Sequence, residues 1–145
     1  MEIEIHHQPI HFDLYGIAQK VTEHSYAVTG RKMMDRLWNE IKLHSYPHKG
    51  INIWAYLPDQ IMMTAVEMKT PLQHLNGLEF KYVEFTKYAY YKHIGSYSLI
   101  SEAYTQMAQE LDSRGIQHHI PMVEIYGHWQ PDETKLVTEL IWQIE

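Results

Sequence analysis

The order strand, helix, strand, strand is predicted twice along this chain of 145 residues. In the first half, a predicted strand over residues 10–21 precedes an amphipathic helix over 26–43, whose apolar side chains recur with the helical period. Two short apolar segments, 51–57 and 61–68, then flank a Pro-Asp-Gln turn and predict a β-hairpin. Gly30 leaves the start of the helix open, because glycine is a weak helix former.

The second half repeats this order. Residues 80–94 predict one strand rich in Tyr, Phe and Val, and residues 98–114 predict a helix that Gly115 ends. The apolar segments 121–127 and 135–144 predict a second hairpin across a polar loop. Each half alone has too little core to be stable, so the two halves are expected to pack against each other.

The predicted fold class is therefore α+β, with duplicated β-α-β-β modules that form an antiparallel sheet with two helices on one side. The chain length fits a single domain over residues 1–145. The pseudo-repeats cover about 10–69 and 79–145, and the segment between them contains a proline and a glycine, as linkers often do.

Short segments also match between the two halves. Trp54-Ala55-Tyr56 matches Glu124-Ile125-Tyr126, and Thr64-Ala65-Val66 matches Thr138-Glu139-Leu140. Neither Glu124 nor Glu139 has a carboxylate at its matching position in the first half, where Trp54 and Ala65 stand. This asymmetry is what a single site at a pseudo-symmetric junction would produce.

Glu124 and Glu139 both lie in the middle of otherwise apolar predicted strands. Alternation places Glu124 on the same face as Tyr126, and Glu139 on the same face as Val137 and Ile141. A carboxylate is costly to bury without a partner. Each glutamate therefore lies either on a solvated face of the sheet or in a pocket whose ligand supplies the partner. The long loop between the two strands leaves the register open, and with it the question of which glutamate faces the pocket.

Composition excludes several classes of function. The net charge is -6 and no Lys/Arg cluster is present, so direct nucleic-acid binding is not expected. There are no cysteines, which rules out disulfides and thiolate chemistry and suits a cytoplasmic protein. No apolar segment is long enough to cross a membrane, and the acidic N-terminus is unlike a signal peptide.

The eleven histidines raise the question of a metal site. The candidates are His6, His7, His11 and the pair His118-His119, but none has the spacing of a zinc-enzyme motif. The chain also lacks a nucleophile elbow and a Gly-rich phosphate loop. We therefore expect neither a metal nor a cofactor.

An ordered set of motifs resembles the GyrI-like effector-binding family. The set consists of Tyr-Ala-Tyr-Tyr-Lys-His-Ile-Gly-Ser-Tyr at 88–97, Glu-Ala-Tyr at 102–104, Val-Glu-Ile-Tyr at 123–126 and Thr-Glu-Leu at 138–140. The same family includes the ligand-binding domains of MerR- and AraC-type multidrug transcription regulators of bacteria. The resemblance covers nearly the whole chain and is most specific in the second half. Ser96 departs from the family pattern, which often has proline after the glycine.

The resemblance implies two modules around a shared groove that binds bulky, often cationic, aromatic compounds near a buried glutamate. The family's Glu-x-Tyr pattern falls on Glu124 and Tyr126, and a second recurrent glutamate falls on Glu139. An aromatic cavity with a carboxylate favours a large cation through charge pairing and cation–π contact. The candidate ligand-binding residues are Glu124, Tyr126, Glu139, Trp54, Tyr56, Trp38 and Tyr104. For Trp38 and Tyr104, as for Met34 and Trp142, packing in the core is the alternative.

Three functions remain open on this basis. The first is a cytoplasmic small-molecule binding protein, without the helix-turn-helix that direct gene regulation would need. The second is a protein-interaction module such as a DNA gyrase inhibitor, with a protein partner or a homodimer. The third is a small-molecule hydrolase, in which Glu124 acts as general base and Tyr126 positions water or the leaving group.

Overall fold

The computed structural model describes residues 1–22 and 25–145. The strands are β1 (Glu4–His6), β2 (Ile10–Lys20), β3 (His48–Leu57), β4 (Ile61–Met68), β5 (Glu79–Phe85), β6 (Tyr88–Ile94), β7 (His118–Tyr126) and β8 (Val137–Ile144). The helices are α1 (Tyr26–His44) and α2 (Ile100–Ser113), with single 3-10 turns at Tyr97–Leu99 and Glu133–Lys135. No helix in these two described ranges is long and apolar enough to cross a membrane.

All eight strands join one antiparallel sheet in the order β1-β6-β8-β7-β3-β4-β2-β5. Outward from the central pair of β3 and β7, equivalent strands of the two halves follow in the same order. One side has β3, β4, β2 and β5, and the other has β7, β8, β6 and β1. The modules β2-α1-β3-β4 and β6-α2-β7-β8 therefore confirm the predicted α+β duplication.

The pseudo-two-fold relationship is centred where β3 pairs with β7. Trp54 lies directly opposite Glu124 in this pairing. The flanking pairs are Asn52 with Tyr126 and Tyr56 with Met122. Because Trp54 and Glu124 also occupy matching positions in their modules, the approximate axis passes between these two residues.

The two helices bury matching faces. In α1 the fully buried side chains are Met33, Leu37 and Ile41, and the same positions of α2 hold Ala103, Met107 and Leu111. These side chains cover the sheet face that carries Trp54 and Glu124, because directly paired residues of neighbouring strands project to the same side. Tyr126 contacts the apolar clusters beneath both helices and so marks the boundary between them.

The other face of the sheet forms a separate apolar cluster without a helix. Its members come from strands at both ends of the order, including Phe12 and Phe85 on one side and Tyr88 and Ile141 on the other. Tyr88 packs against Phe85 with 6.2 Å between ring centroids. The sheet therefore curves around this cluster, which leaves the opposite face free to support the helices.

Helix α1 begins at Tyr26, and Gly30 does not delay its start, because Ser25 caps the helix. The Ser25 hydroxyl accepts a hydrogen bond from the Val28 amide at 3.1 Å, which satisfies one of the free N–H groups of the first turn.

Three details of the predicted fold are wrong. The single strand over residues 80–94 is two strands, β5 and β6, separated by a turn that sends the chain from one end of the strand order toward the other. The short strand β1 at the N-terminus was not predicted. The predicted match between Thr64 and Thr138 is shifted by two residues. Thr64 pairs with Trp54, and Leu140 pairs with Glu124. Because Trp54 and Glu124 are equivalent, Thr64 matches Leu140.

Candidate functional site

Glu124 is a buried carboxylate at the centre of the helix-covered face. Only 2% of its surface is exposed. Its Oε1 atom accepts hydrogen bonds from the hydroxyls of Tyr56 at 3.0 Å and Tyr126 at 2.6 Å. No ion pair among the described residues involves Glu124. The acid is thus held by neutral donors, without a cationic partner in this part of the chain.

Burial raises the pKa of Glu124 above its ordinary value, because the charged form loses its hydration. The hydroxyls of Tyr126, Tyr104 and Tyr56 oppose this shift because their dipoles stabilise the carboxylate, but they do not cancel it. Burial and the nearby Glu124 charge raise the pKa values of Tyr56 and Tyr126, which keeps their hydroxyls protonated and able to donate.

Trp54 forms the aromatic side of the site. Its ring packs against the backbone of α1 at Gly30, where an added Cβ would lie 2.6 Å from Trp54 Cη2. The indole N–H donates to Met34 Sδ at 3.0 Å. Gly30 is therefore needed for close packing, and its cost in helix propensity is offset by the buried ring.

Tyr104 occupies the position in α2 that Met34 occupies in α1. Met34 contacts Trp54, and Tyr104 correspondingly lies near Glu124, close enough for its hydroxyl to lower the pKa of that carboxyl. The Tyr104 hydroxyl is nevertheless buried without a hydrogen bond of good geometry to any described residue. Each helix thus directs one side chain toward the central Trp54–Glu124 pair, and only the contact in the first module is a well-formed hydrogen bond.

Further aromatic rings surround this centre. Tyr126 meets Trp54 and Tyr97 edge-on, each with 5.4 Å between ring centroids, at interplanar angles of 62° and 87°. Tyr56 meets Tyr26 at 5.5 Å. Tyr26 and Tyr97 lie at or beside the N-terminal ends of α1 and α2 and are partly exposed, so they connect the buried centre to the surface.

The other predicted aromatic residue, Trp38, lies at the side of the site. Its indole N–H donates to Asn52 Oδ1 at 2.7 Å, and its ring packs edge-on against His48. Trp142, expected in the core, packs under α2 against Tyr104 with 5.6 Å between ring centroids.

Glu139 does not join this cluster. It pairs with Ile125, which faces the apolar cluster on the helix-free side of the sheet, so the two glutamates project from opposite faces. Glu139 Oε2 accepts a hydrogen bond from the Tyr90 hydroxyl at 2.7 Å. The structure therefore brings together Glu124, Tyr126, Trp54, Tyr56 and Tyr104 of the predicted residues, and separates Glu139 from them.

Four of the five candidate metal ligands, His6, His11, His118 and His119, each lie near a single acid. His118 lies 3.3 Å from Asp112 and His119 lies 3.0 Å from Glu145. Among residues 1–22 and 25–145 no group of three or more His, Asp or Glu side chains could hold a metal ion.

The sequence analysis did not identify Tyr26 and Tyr97 as neighbours of the central residues, and it left Met34 between the core and the pocket. Met34 matches Tyr104 once the two helices are aligned by their buried positions, so the duplication contained a usable signal. Tyr97 lies in a single turn before α2, where no periodic pattern indicates orientation.

A scan against protein-family models finds no match, and a search of curated proteins finds none. Solved structures share the fold at low sequence identity. The C-terminal domain of EcmrR matches with a TM-score of 0.74 and 13% identity, covering 99% of this chain and 97% of that one. This chain spans 57% of the EcmrR chain in its complex with DNA.

Two further structures match. SAV2435 bound to tetraphenylphosphonium has a TM-score of 0.65 and 14% identity, covering 100% of this chain and 94% of that one. A hydrolase from Listeria innocua has a TM-score of 0.56 and 11% identity, covering 96% of this chain and 92% of that one. At such identities these likenesses show the fold alone.

Proposed function

We propose that this protein binds bulky aromatic cations between its two helices, with Glu124 as the central carboxylate, in the manner of a GyrI-like effector-binding domain. The observation that supports the proposal is a carboxylate that is 2% exposed and accepts hydrogen bonds, among residues 1–22 and 25–145, from tyrosine hydroxyls alone. Burial without a cation is unfavourable for the charged form. A cationic ligand supplies the missing charge and leaves the tyrosine hydrogen bonds in place.

The aromatic surroundings support the same class of ligand. Trp54, Tyr56 and Tyr126 lie around the carboxylate, and their rings offer apolar contact and cation–π attraction. SAV2435, which shares the fold, binds tetraphenylphosphonium, a bulky cation with four aromatic rings. Tetraphenylphosphonium is therefore the first probe for this protein.

The test compares two glutamates in similar local settings. Both Glu124 and Glu139 accept a tyrosine hydrogen bond within a strand, but only Glu124 lies on the helix-covered face. By calorimetry, Glu124→Gln weakens tetraphenylphosphonium binding roughly ten- to a hundredfold, the value of a desolvated charge contact. Glu139→Gln serves as the matched control and retains the wild-type affinity.

Two results would count against the proposal. Loss of affinity in Glu139→Gln with none in Glu124→Gln would assign the ligand to the opposite face. Unchanged affinity in both variants would remove the carboxylate from the binding mechanism. Circular dichroism and melting curves of both variants verify that differences in affinity do not come from unfolding.

A hydrolase is the second candidate function. The observation that favours it is the 2.6 Å hydrogen bond from Tyr126 to Glu124. A carboxyl with a raised pKa can serve as general base while the tyrosine orients a water. Product analysis with electrophilic aromatic esters tests this, and hydrolysis that Glu124→Gln abolishes would support catalysis over simple binding.

A further inference from the structure

Several buried hydroxyls on the helix-covered face have no hydrogen-bond partner among the residues that the structure describes. They are Tyr104 Oη, Thr138 Oγ1 and Thr64 Oγ1. A buried polar group that lacks a partner is destabilising, so an unpaired hydroxyl beside a ligand site indicates a group that the ligand completes. Tyr104 is the most informative of them, because it also lies near the Glu124 carboxylate.

The duplication provides an internal reference for Tyr104. In the first module Met34 and Trp54 form a donor–acceptor contact at 3.0 Å. The equivalent pair in the second module is Tyr104 and Glu124, and here no hydrogen bond of good geometry forms. The architecture can therefore bring a helix side chain into contact with the central strand residue, and in the second module it leaves hydrogen-bonding capacity unused.

Glu124 also has unused capacity. Tyr56 and Tyr126 both donate to Oε1, and no hydrogen bond from the described residues reaches Oε2. A carboxylate can accept about four hydrogen bonds, two at each oxygen. Glu124 Oε2 and the Tyr104 hydroxyl are thus two buried groups of one neighbourhood that each retain hydrogen-bonding capacity. Thr138 Oγ1, opposite Tyr126 in the strand pairing, adds a further unpaired hydroxyl.

We infer that this site selects cations that carry N–H groups, such as ammonium or amidinium compounds, over quaternary cations of the same size and shape. This rests on the function proposed above. The ligand's N–H donates to Glu124 Oε2 or to Tyr104 Oη, and the Tyr104 hydroxyl can in turn donate to the carboxylate. A quaternary cation satisfies the charge of Glu124 but leaves these hydrogen-bonding groups unpaired, so Tyr104 determines specificity for the hydrogen-bonding cation.

The experiment uses matched pairs of aromatic ligands, a protonated tertiary amine and its N-methylated quaternary form, measured by calorimetry at neutral pH. Protonated amines are hydrated more strongly than quaternary ions, so their affinities cannot be compared directly. The quantity compared between variants is therefore the affinity for the tertiary amine divided by the affinity for its quaternary form. We expect Tyr104→Phe to reduce the ratio of tertiary-amine affinity to quaternary affinity roughly ten- to a hundredfold, the value of one hydrogen bond to a charged group. In that variant the affinity for the tertiary amine falls further than the affinity for the quaternary form.

Tyr90→Phe is the matched control, because it removes a tyrosine hydroxyl from the other glutamate on the opposite face. Its affinity ratio equals that of the wild type. Melting curves accompany each variant and verify that differences in the affinity ratio do not come from unfolding.

The outcomes separate the two proposals. An affinity ratio that is the same in Tyr104→Phe and the wild type overturns the role of Tyr104 and leaves the proposed function intact. A lower ratio in both Tyr104→Phe and Tyr90→Phe also overturns it. Absence of binding by either member of every pair overturns the proposed function and this inference together.

Discussion

Trp54 and Glu124 are direct partners in the antiparallel pairing of β3 and β7, and they occupy equivalent positions in the two modules. The pseudo-two-fold axis therefore passes between a large aromatic ring and a carboxylate. A strictly symmetric protein would have two identical residues here, which would place two rings or two charges side by side. Divergence of the two modules at this pair permits one aromatic wall and one acid to share one site.

The close packing of Trp54 on α1 makes Gly30 a test of the site's architecture. In an exposed helix interior, Gly→Ala stabilises by about 1 kcal/mol. Here the added methyl would lie 2.6 Å from Trp54 and 2.7 Å from Met62 Cε, so Gly30→Ala is expected to destabilise by about 1–3 kcal/mol. Urea unfolding measures the change in free energy.

The control for that substitution is the Trp54→Phe background. A smaller ring leaves room for the methyl group, so Gly30→Ala should cost less there than in the wild type. Stabilisation by Gly30→Ala in the wild-type background would contradict the close contact between Trp54 and the helix.

The aromatic wall formed by Trp54, Tyr56 and Tyr126 predicts broad specificity. Flat rings tolerate many ligand shapes, because stacking requires less alignment than hydrogen bonding. We expect micromolar affinity, on the order of -8 kcal/mol, for several unrelated lipophilic cations. Neutral analogues of similar size bind more weakly, and Trp54→Ala weakens the whole set rather than one member.

Calorimetry across matched cationic and neutral ligands tests this expectation. Because Trp54 is buried, its truncation also costs stability, and Trp54→Phe is the milder variant for the same comparison. Equal affinities within each cationic and neutral pair, or binding of one compound alone, would be incompatible with a permissive site.

The raised pKa of Glu124 predicts how ligand-free stability depends on pH. Its folded pKa lies above the ordinary value of 4.5, so between these two values the folded protein binds more protons than the unfolded chain. Stability from this group is therefore present below pH 4.5 and is lost as pH rises through the folded pKa. The affinity for a permanently charged cation changes in the opposite direction, since ionised Glu124 binds it.

Glu124→Gln removes this titration. The free energy of unfolding of the variant, relative to the wild type, is expected to increase as pH rises from 4.5 through the folded pKa, and its affinity for tetraphenylphosphonium should not vary over that range. Chemical denaturation and calorimetry at a series of pH values measure both effects. A constant difference in stability between variant and wild type would show that Glu124 titrates normally.

Local sequence patterns determined the two modules and the face of each strand. Helical periodicity predicted α1 and α2, and alternation placed Glu124 with Tyr126 and Glu139 with Ile141 on common faces, as the structure has them. These features depend on residues a few positions apart, so the sequence contains them directly.

Only the tertiary structure decided which glutamate faces the helices. Glu124 and Glu139 look alike in the sequence, but the pairing of Ile125 with Glu139 turns Glu139 to the opposite side. A one-residue change in that register would have reversed the result, because the side-chain period of a strand is two. The same holds for the opposition of Trp54 and Glu124 and for the unpaired Tyr104 hydroxyl, since both depend on contacts between residues far apart in the chain.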